Sequence, residues 1–129
     1  MSDPPTDSTV VYQTTFVAVG DQVPGFVDAG ILVFFAAGSP AELHDICVLH
    51  EAAIEVSGPR AGDTIRIGEI AFPVLACGHV VEANLMDLGH VNLKADGRTE
   101  AGLPGDVCVP VGSLVVPEVG QTMRILRPA

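Results

Sequence analysis

A chain of 129 residues with 16 acidic and 6 basic side chains carries a net charge of −10, and that length accommodates one domain with one core. Arg60, Arg66, Lys94, Arg98, Arg124 and Arg127 are scattered along it and form no patch, so nucleic acid and anionic membranes are poor partners, while a basic protein partner, or plain solubility, suits the charge. The chain is 48% hydrophobic, yet no apolar run approaches the roughly 18 residues of a membrane-spanning helix.

Residues 1–9, MSDPPTDST, are polar and acidic and lack the basic start of a secretory signal. They read as a disordered tail before a single domain over 10–129. Residues 10–19, VVYQTTFVAV, form the first expected strand. The segment 20–30, with Pro24 and Gly25, reads as a loop. Residues 31–36 are almost wholly apolar, as in a strand covered on both faces.

The stretch 38–50, GSPAELHDICVLH, is the one around which the rest is organised. Ser39 can cap a short helical turn, Pro40 fits its first position, and Glu42 can reach back to the cap. His44 falls in that turn, on the surface. A strand follows, and its parity puts Ile46, Val48, His50, Ala52, Ile54 and Val56 on one face and Glu51, Glu55 and Ser57 on the other. His50 therefore points the way the apolar residues point. It is either a satisfied core histidine or a partly desolvated histidine at a rim, held neutral and nucleophilic near neutral pH.

Residues 58–62 make a turn, and 63–67 and 70–76 form a hairpin through Gly68 and Glu69, with Pro73 marking an edge or a bulge. His79 lies in a loop. Residues 82–88 read as a second helical piece closed by Gly89. His90 then opens a strand over 90–94, at a helix end that favours a cation. Turns follow at Asp96-Gly97 and at 103–105, then a strand over 107–111, a strand or loop at 112–116, and a last strand over 121–126. About eight or nine short strands and two short helical turns make an all-β protein. A small closed or nearly closed β-barrel would remove the exposed edges of so many strands.

No phosphate-binding glycine loop, GxSxG, HExxH or CxxC is present. Cys47, Cys77 and Cys108 are an odd set inside apolar segments, in keeping with reduced thiols in a cytoplasmic protein. With His50, His79 and His90 they suggest a metal or small-ligand site, but the spacing matches no zinc pattern, so no metal and no cofactor are expected.

Several motifs carry a family likeness: Val11-Tyr12-Gln13-Thr14-Thr15, then Gly38-x-Pro40-Ala41-x-Leu43 and Cys47-x-x-His50, then Phe72-Pro73-Val74. The most specific is Asn84-Leu85-x-x-Leu88-Gly89-His90-Val91-x-Leu93, followed by Asp96-Gly97 and Pro104-Gly105-x-Val107. Over about residues 10–127 the chain resembles the IIA component of the glucitol/sorbitol-specific phosphotransferase system. It departs mildly, with Glu51-Ala52 after the histidine and a longer start. The resemblance implies a small β-barrel and makes His50 the phosphohistidine of a phosphotransferase component. Phosphate would come from the phosphocarrier protein HPr and pass to a cysteine of the IIB component. The sugar would then be phosphorylated during transport through the membrane IIC component, with no direct sugar binding by this chain. His90 is expected to support His50 from within direct or water-bridged hydrogen-bond reach, since no arginine cluster is available. The competing reading is a non-catalytic β-barrel module that binds a metal or small ligand through its His and Cys.

Overall fold

Short runs of Val, Ile, Leu and aromatic residues, bounded by Gly and Pro, become short strands because β-branched and aromatic side chains fit a pleated, half-buried surface. In the computed structural model, which describes residues 8–129, they are β1 (Thr9–Val19), β2 (Ile31–Ala36), β3 (Val48–Glu55), β4 (Thr64–Ile67), β5 (Ile70–Pro73), β6 (Ala76–Cys77), β7 (Val91–Lys94), β8 (Asp106–Cys108) and β9 (Thr122–Arg127). Residues 1–7 of the expected tail lie outside the described residues, and Thr9 already belongs to β1. Residues 112–116 contribute no strand.

All nine strands join one sheet in the order β5-β4-β9-β1-β3-β2-β7-β8-β6. Pairings are antiparallel except β2 with β3 and β7 with β8, which are parallel. The protein is mostly β, as expected, but the sheet does not close into a barrel. Its edges, β5 and β6, are not hydrogen-bonded to each other. The cause lies in residues 70–76, expected as one strand. Pro73 has no N–H for a ladder. The Val74 N–H then donates to the Asp63 carbonyl on the β4 side, at 2.8 Å, and the Leu75 N–H to the Cys108 carbonyl on the β8 side, also at 2.8 Å. The chain changes sheet edge between those two residues, so the two edges are linked by a chain connection and not by a ladder.

The helical pieces differ from expectation at their starts. Residues 23–28 form α1 (Val23–Asp28), not a loop: Pro24 falls in the first turn, where its missing N–H costs nothing, and Val23 is buried. The turn over 41–46 is a 3-10 helix, Ala41–Ile46, that carries the crossover between the parallel strands β2 and β3. Pro40, not Ser39, is its cap residue, and no side chain caps it. His44 is half-buried and donates through Nε2 to the Ser39 carbonyl at 2.8 Å. The second helix, α2 (Val81–Leu88), ends on Gly89 at φ 63° as expected. The Gly89 N–H donates to the Leu85 carbonyl at 3.0 Å, a closing bond typical of such helix ends, and the His90 N–H reaches back to the Asn84 carbonyl at 3.2 Å.

Along β1, Tyr12, Thr14 and Phe16 alternate into the core with Phe34 of β2 and Leu85 of α2. Burying an apolar side chain of such size contributes about 1.5–3 kcal/mol. The expected parity of β3 holds only to Ala52. Phe16 faces His50 and Thr14 faces Ala52, but Gln13 then faces Ile54 and Tyr12 faces Glu55. Ala53 is bulged out, and one extra residue exchanges the two faces beyond it. Glu55 therefore shares a side with His50, while Val56 is 71% exposed. Farther along, Arg127 pins the last strand: its guanidinium donates to both carboxylate oxygens of the buried Asp63, at 3.0 and 2.8 Å, and to Ser57 Oγ at 2.8 Å.

Candidate active site

His50 is 2% exposed, deeper than the rim position its sequence context suggests. Its ring meets the Phe34 ring edge-on, with centroids 5.9 Å apart, and lies 6.4 Å from that of Tyr12. Both nitrogens are engaged. Nε2 lies 2.6 Å from the Gly89 carbonyl oxygen, and Nδ1 lies 2.5 Å from Thr14 Oγ1. A carbonyl only accepts, so Nε2 carries the proton and donates it. Nδ1 then holds the lone pair and accepts from the Thr14 hydroxyl. Burial keeps the ring neutral at neutral pH, and in the neutral ring the Gly89 carbonyl selects the Nε2–H tautomer.

The Gly89 carbonyl arrives there for a steric reason. Ala36 of β2 is the ladder neighbour of His50. Gly89 packs so close to Ala36 that a Cβ at position 89 would fall 2.6 Å from the Ala36 backbone nitrogen. Only glycine combines that approach with a left-handed φ.

Burial holds the His50 imidazole below its ordinary value of 6.5, because desolvation disfavours the charged ring. The Gly89 carbonyl and the Glu55 carboxylate pull the other way but do not prevail. Unfolding restores the ordinary value. Between the folded value and 6.5 the unfolded chain binds the additional proton, so this contribution to stability is complete at neutral pH and lost as the pH falls through that window. The melting temperature should drop as the pH falls below about 7, and His50→Gln should flatten part of that slope. Equal slopes for the two proteins would show that His50 protonates as readily folded as unfolded.

One side of the ring opens on a cavity of about 360 Å³ lined by His50, Tyr12, Gly89, Glu51, Glu55 and Asp87 among others. No lysine or arginine is among its lining residues. Thr14 does not line it and is fully buried. The Nε2 side, beside Gly89, thus faces the cavity, and the Nδ1 side faces the interior. A larger groove of about 680 Å³ runs past Arg66, Arg124 and Gln13. No histidine or cysteine lines it, so size does not mark the chemistry here.

His90 does not join His50. Its ring stacks on Phe35, with centroids 4.2 Å apart, and its Nδ1 lies 3.3 Å from the Phe34 carbonyl oxygen. Phe34 and Phe35 project to opposite faces of β2, and Phe34 is the one that meets His50. The two imidazoles are therefore on opposite sides of the strand, and the backbone of Gly89 does what the side chain of the next residue was expected to do. His79 is exposed.

Among the described residues no group of three or more His, Cys, Asp or Glu is arranged to hold a metal. Cys47 and Cys108 are buried and Cys77 is half-buried. Burial raises all three thiols, that of Cys77 to about 11, so none offers a ready thiolate. Among those residues no helix is long and apolar enough to cross a membrane. Sequence reasoning missed Tyr12, Thr14 and Glu55 as neighbours of His50. The alternation of β1 marks Tyr12 and Thr14 as inward, but only the pairing register puts them beside His50.

Residues 11–124 match the family described as the PTS system glucitol/sorbitol-specific IIA component. Two curated relatives, from Shigella flexneri and Escherichia coli (strain K12), are each described as a PTS system glucitol/sorbitol-specific EIIA component. Each is 37% identical over 111 residues, which span 84% of this chain and 90% of the relative. The fold is similar to the crystal structure of a PTS system IIA component from Enterococcus faecalis V583, with a TM-score of 0.69 at 17% identity, over 86% of this chain and 96% of that one. By sequence over most of its length, the chain belongs to the glucitol/sorbitol-specific IIA component family of the phosphotransferase system.

Proposed function

We propose that the protein is a phosphoryl carrier of sugar uptake and that His50 is the residue that carries the group. Phosphate is taken from the phosphohistidine of the phosphocarrier protein HPr and passed to a cysteine of the IIB component, for uptake and phosphorylation of glucitol/sorbitol through the membrane IIC component. The observation that carries this reading is a neutral imidazole, fixed at both nitrogens, beside a cavity wide enough for a phosphoryl group. A neutral ring needs only a change of tautomer to present a lone pair at the cavity, and a held ring plane gives it the orientation on which in-line phosphoryl transfer depends.

The reactive nitrogen is Nε2, on the cavity side. Attack there requires the Nε2 proton to pass to solvent through the cavity, a proton to be taken up on Nδ1, and the Gly89 carbonyl to draw back from the ring; the Thr14 hydroxyl supports both states. It donates to Nδ1 at rest and accepts from Nδ1–H when Nε2 is the nucleophile. Nε2 forms a bond to phosphorus, and the P–N bond of the donor breaks with its electron pair returning to the donor imidazole. His90 supports this indirectly: its stacking on Phe35 and its bond to the Phe34 carbonyl anchor the residue next to Gly89.

The test is incubation with phosphoenolpyruvate, Enzyme I and HPr, followed by mass analysis and phosphorus NMR. One acid-labile, alkali-stable phosphate on His50 Nε2 is expected. Phosphate on Nδ1 would overturn the assignment of the nitrogen, and a protein left unmodified, or modified elsewhere, would overturn the carrier reading.

A further inference from the structure

The cavity beside His50 lacks what a phosphoryl group ordinarily meets. Its charged lining residues are Glu51, Glu55 and Asp87, all of the wrong sign. Besides His50 itself, one uncharged polar side chain lines it, and its hydroxyl is buried and unbonded. Tyr12 is fully buried and lines the same cavity, with its ring edge-on to that of His50. Its hydroxyl has no hydrogen-bond partner among the described residues. A buried hydroxyl is nearly always paired, so an orphan beside a reactive ring requires an explanation. For packing alone, phenylalanine would fill the place equally well.

We infer that the Tyr12 hydroxyl is the donor that receives a phosphoryl oxygen once His50 carries the group, an inference that rests on His50 being the carrier. Tyr12 and Thr14 are alternate residues on the inner face of β1, so one strand serves both ends of the reaction. Thr14 holds Nδ1 from the interior in either tautomer, and Tyr12 meets the new oxygens from the cavity side. The transfer itself is as above: the Nε2–P bond forms, the donor P–N bond breaks, and the tyrosine keeps its proton throughout. Burial and the facing Glu55 raise the phenol to about 12, so it stays protonated at working pH. Glu55 is the strand partner of Tyr12 but does not accept its proton. The hydroxyl is left for a ligand oxygen.

The experiment compares wild type with Tyr12→Phe, which removes one oxygen and keeps the ring. Both are treated with phosphoenolpyruvate, Enzyme I and HPr, and separately with phosphoramidate, a small phosphoryl donor that needs no protein docking. The unmodified variant should melt at the wild-type temperature or above, since only an unbonded hydroxyl is lost. Its acceptance of phosphate should be slower by about 10–1,000-fold with either donor, the range seen when an oxyanion donor is removed. The phosphorus resonance of its phosphohistidine should also move. In wild type, phosphorylation should bring out a slowly exchanging Tyr12 hydroxyl proton coupled to phosphorus. Equal rates and an unmoved phosphorus resonance in Tyr12→Phe, or no protected hydroxyl proton in phosphorylated wild type, would overturn the inference and leave His50 as carrier. A wild-type protein that takes no phosphate on His50 would overturn the carrier reading and this one with it.

Discussion

Replacing His50 by glutamine should leave a folded protein that accepts no phosphate at all. Glutamine keeps one donor and one acceptor at the end of a side chain of similar reach, so it can answer both the Gly89 carbonyl and the Thr14 hydroxyl. It has no nucleophilic nitrogen, and no other histidine shares the cavity. Alanine is the poorer test. His50 is 2% exposed and packed against Phe34 and Tyr12, so His50→Ala opens a void in the core. Large-to-small substitutions at such sites cost about 2–5 kcal/mol. The void also leaves the Thr14 hydroxyl and the Gly89 carbonyl unbonded, each at about 1–3 kcal/mol. A His50→Ala protein that takes no phosphate could simply be one that no longer folds. His50→Gln separates the two effects, provided its melting curve is recorded beside the phosphorylation assay. A full equivalent of phosphate on His50→Gln would end the assignment of the carrier.

The strands were largely legible because their signals are local: alternation along β1, the apolar run of β2, and the Gly68-Glu69 turn between β4 and β5. The Gly89 terminus of α2 was legible for the same reason, since a left-handed cap is a property of one residue. What the sequence did not reveal depends on register. Nothing local marks Ala53 as the bulged residue, yet that bulge brings Glu55 to the His50 side and turns Val56 out to solvent. Barrel closure failed likewise, on hydrogen-bond partners chosen at Val74 and Leu75. The Leu88-Gly89-His90 motif did point to the His50 neighbourhood, but through the wrong group. A sequence motif advertises side chains, and the contact here is made by a backbone carbonyl. His90, placed by the alternation of β2, ended on Phe35.

That carbonyl makes Gly89→Ala the second decisive substitution. It should destabilise the protein by at least about 2 kcal/mol, because strain and collision act together. An L-residue held in the left-handed region costs about 1–2 kcal/mol, and Gly89 sits there at φ 63°. The new Cβ would also fall 2.6 Å from the Ala36 nitrogen and 2.8 Å from its Cβ. Ala36 is held in the ladder beside His50, so it cannot rotate aside as a flexible side chain would. The 89–90 turn must lift instead, and the Gly89 carbonyl lifts with it. His50 Nε2–H then loses its acceptor. Because that bond favours the protonated ring, the His50 imidazole should titrate still lower in the variant, which nitrogen-detected NMR can follow. Gly112→Ala is the matched control: Gly112 also has a positive φ, 78°, but nothing lies within 4 Å of a Cβ there. It should show the conformational cost alone and leave the His50 titration unmoved. If Gly89→Ala and Gly112→Ala lose the same stability, and neither moves His50, then the close approach of Gly89 to β2 does not position the imidazole.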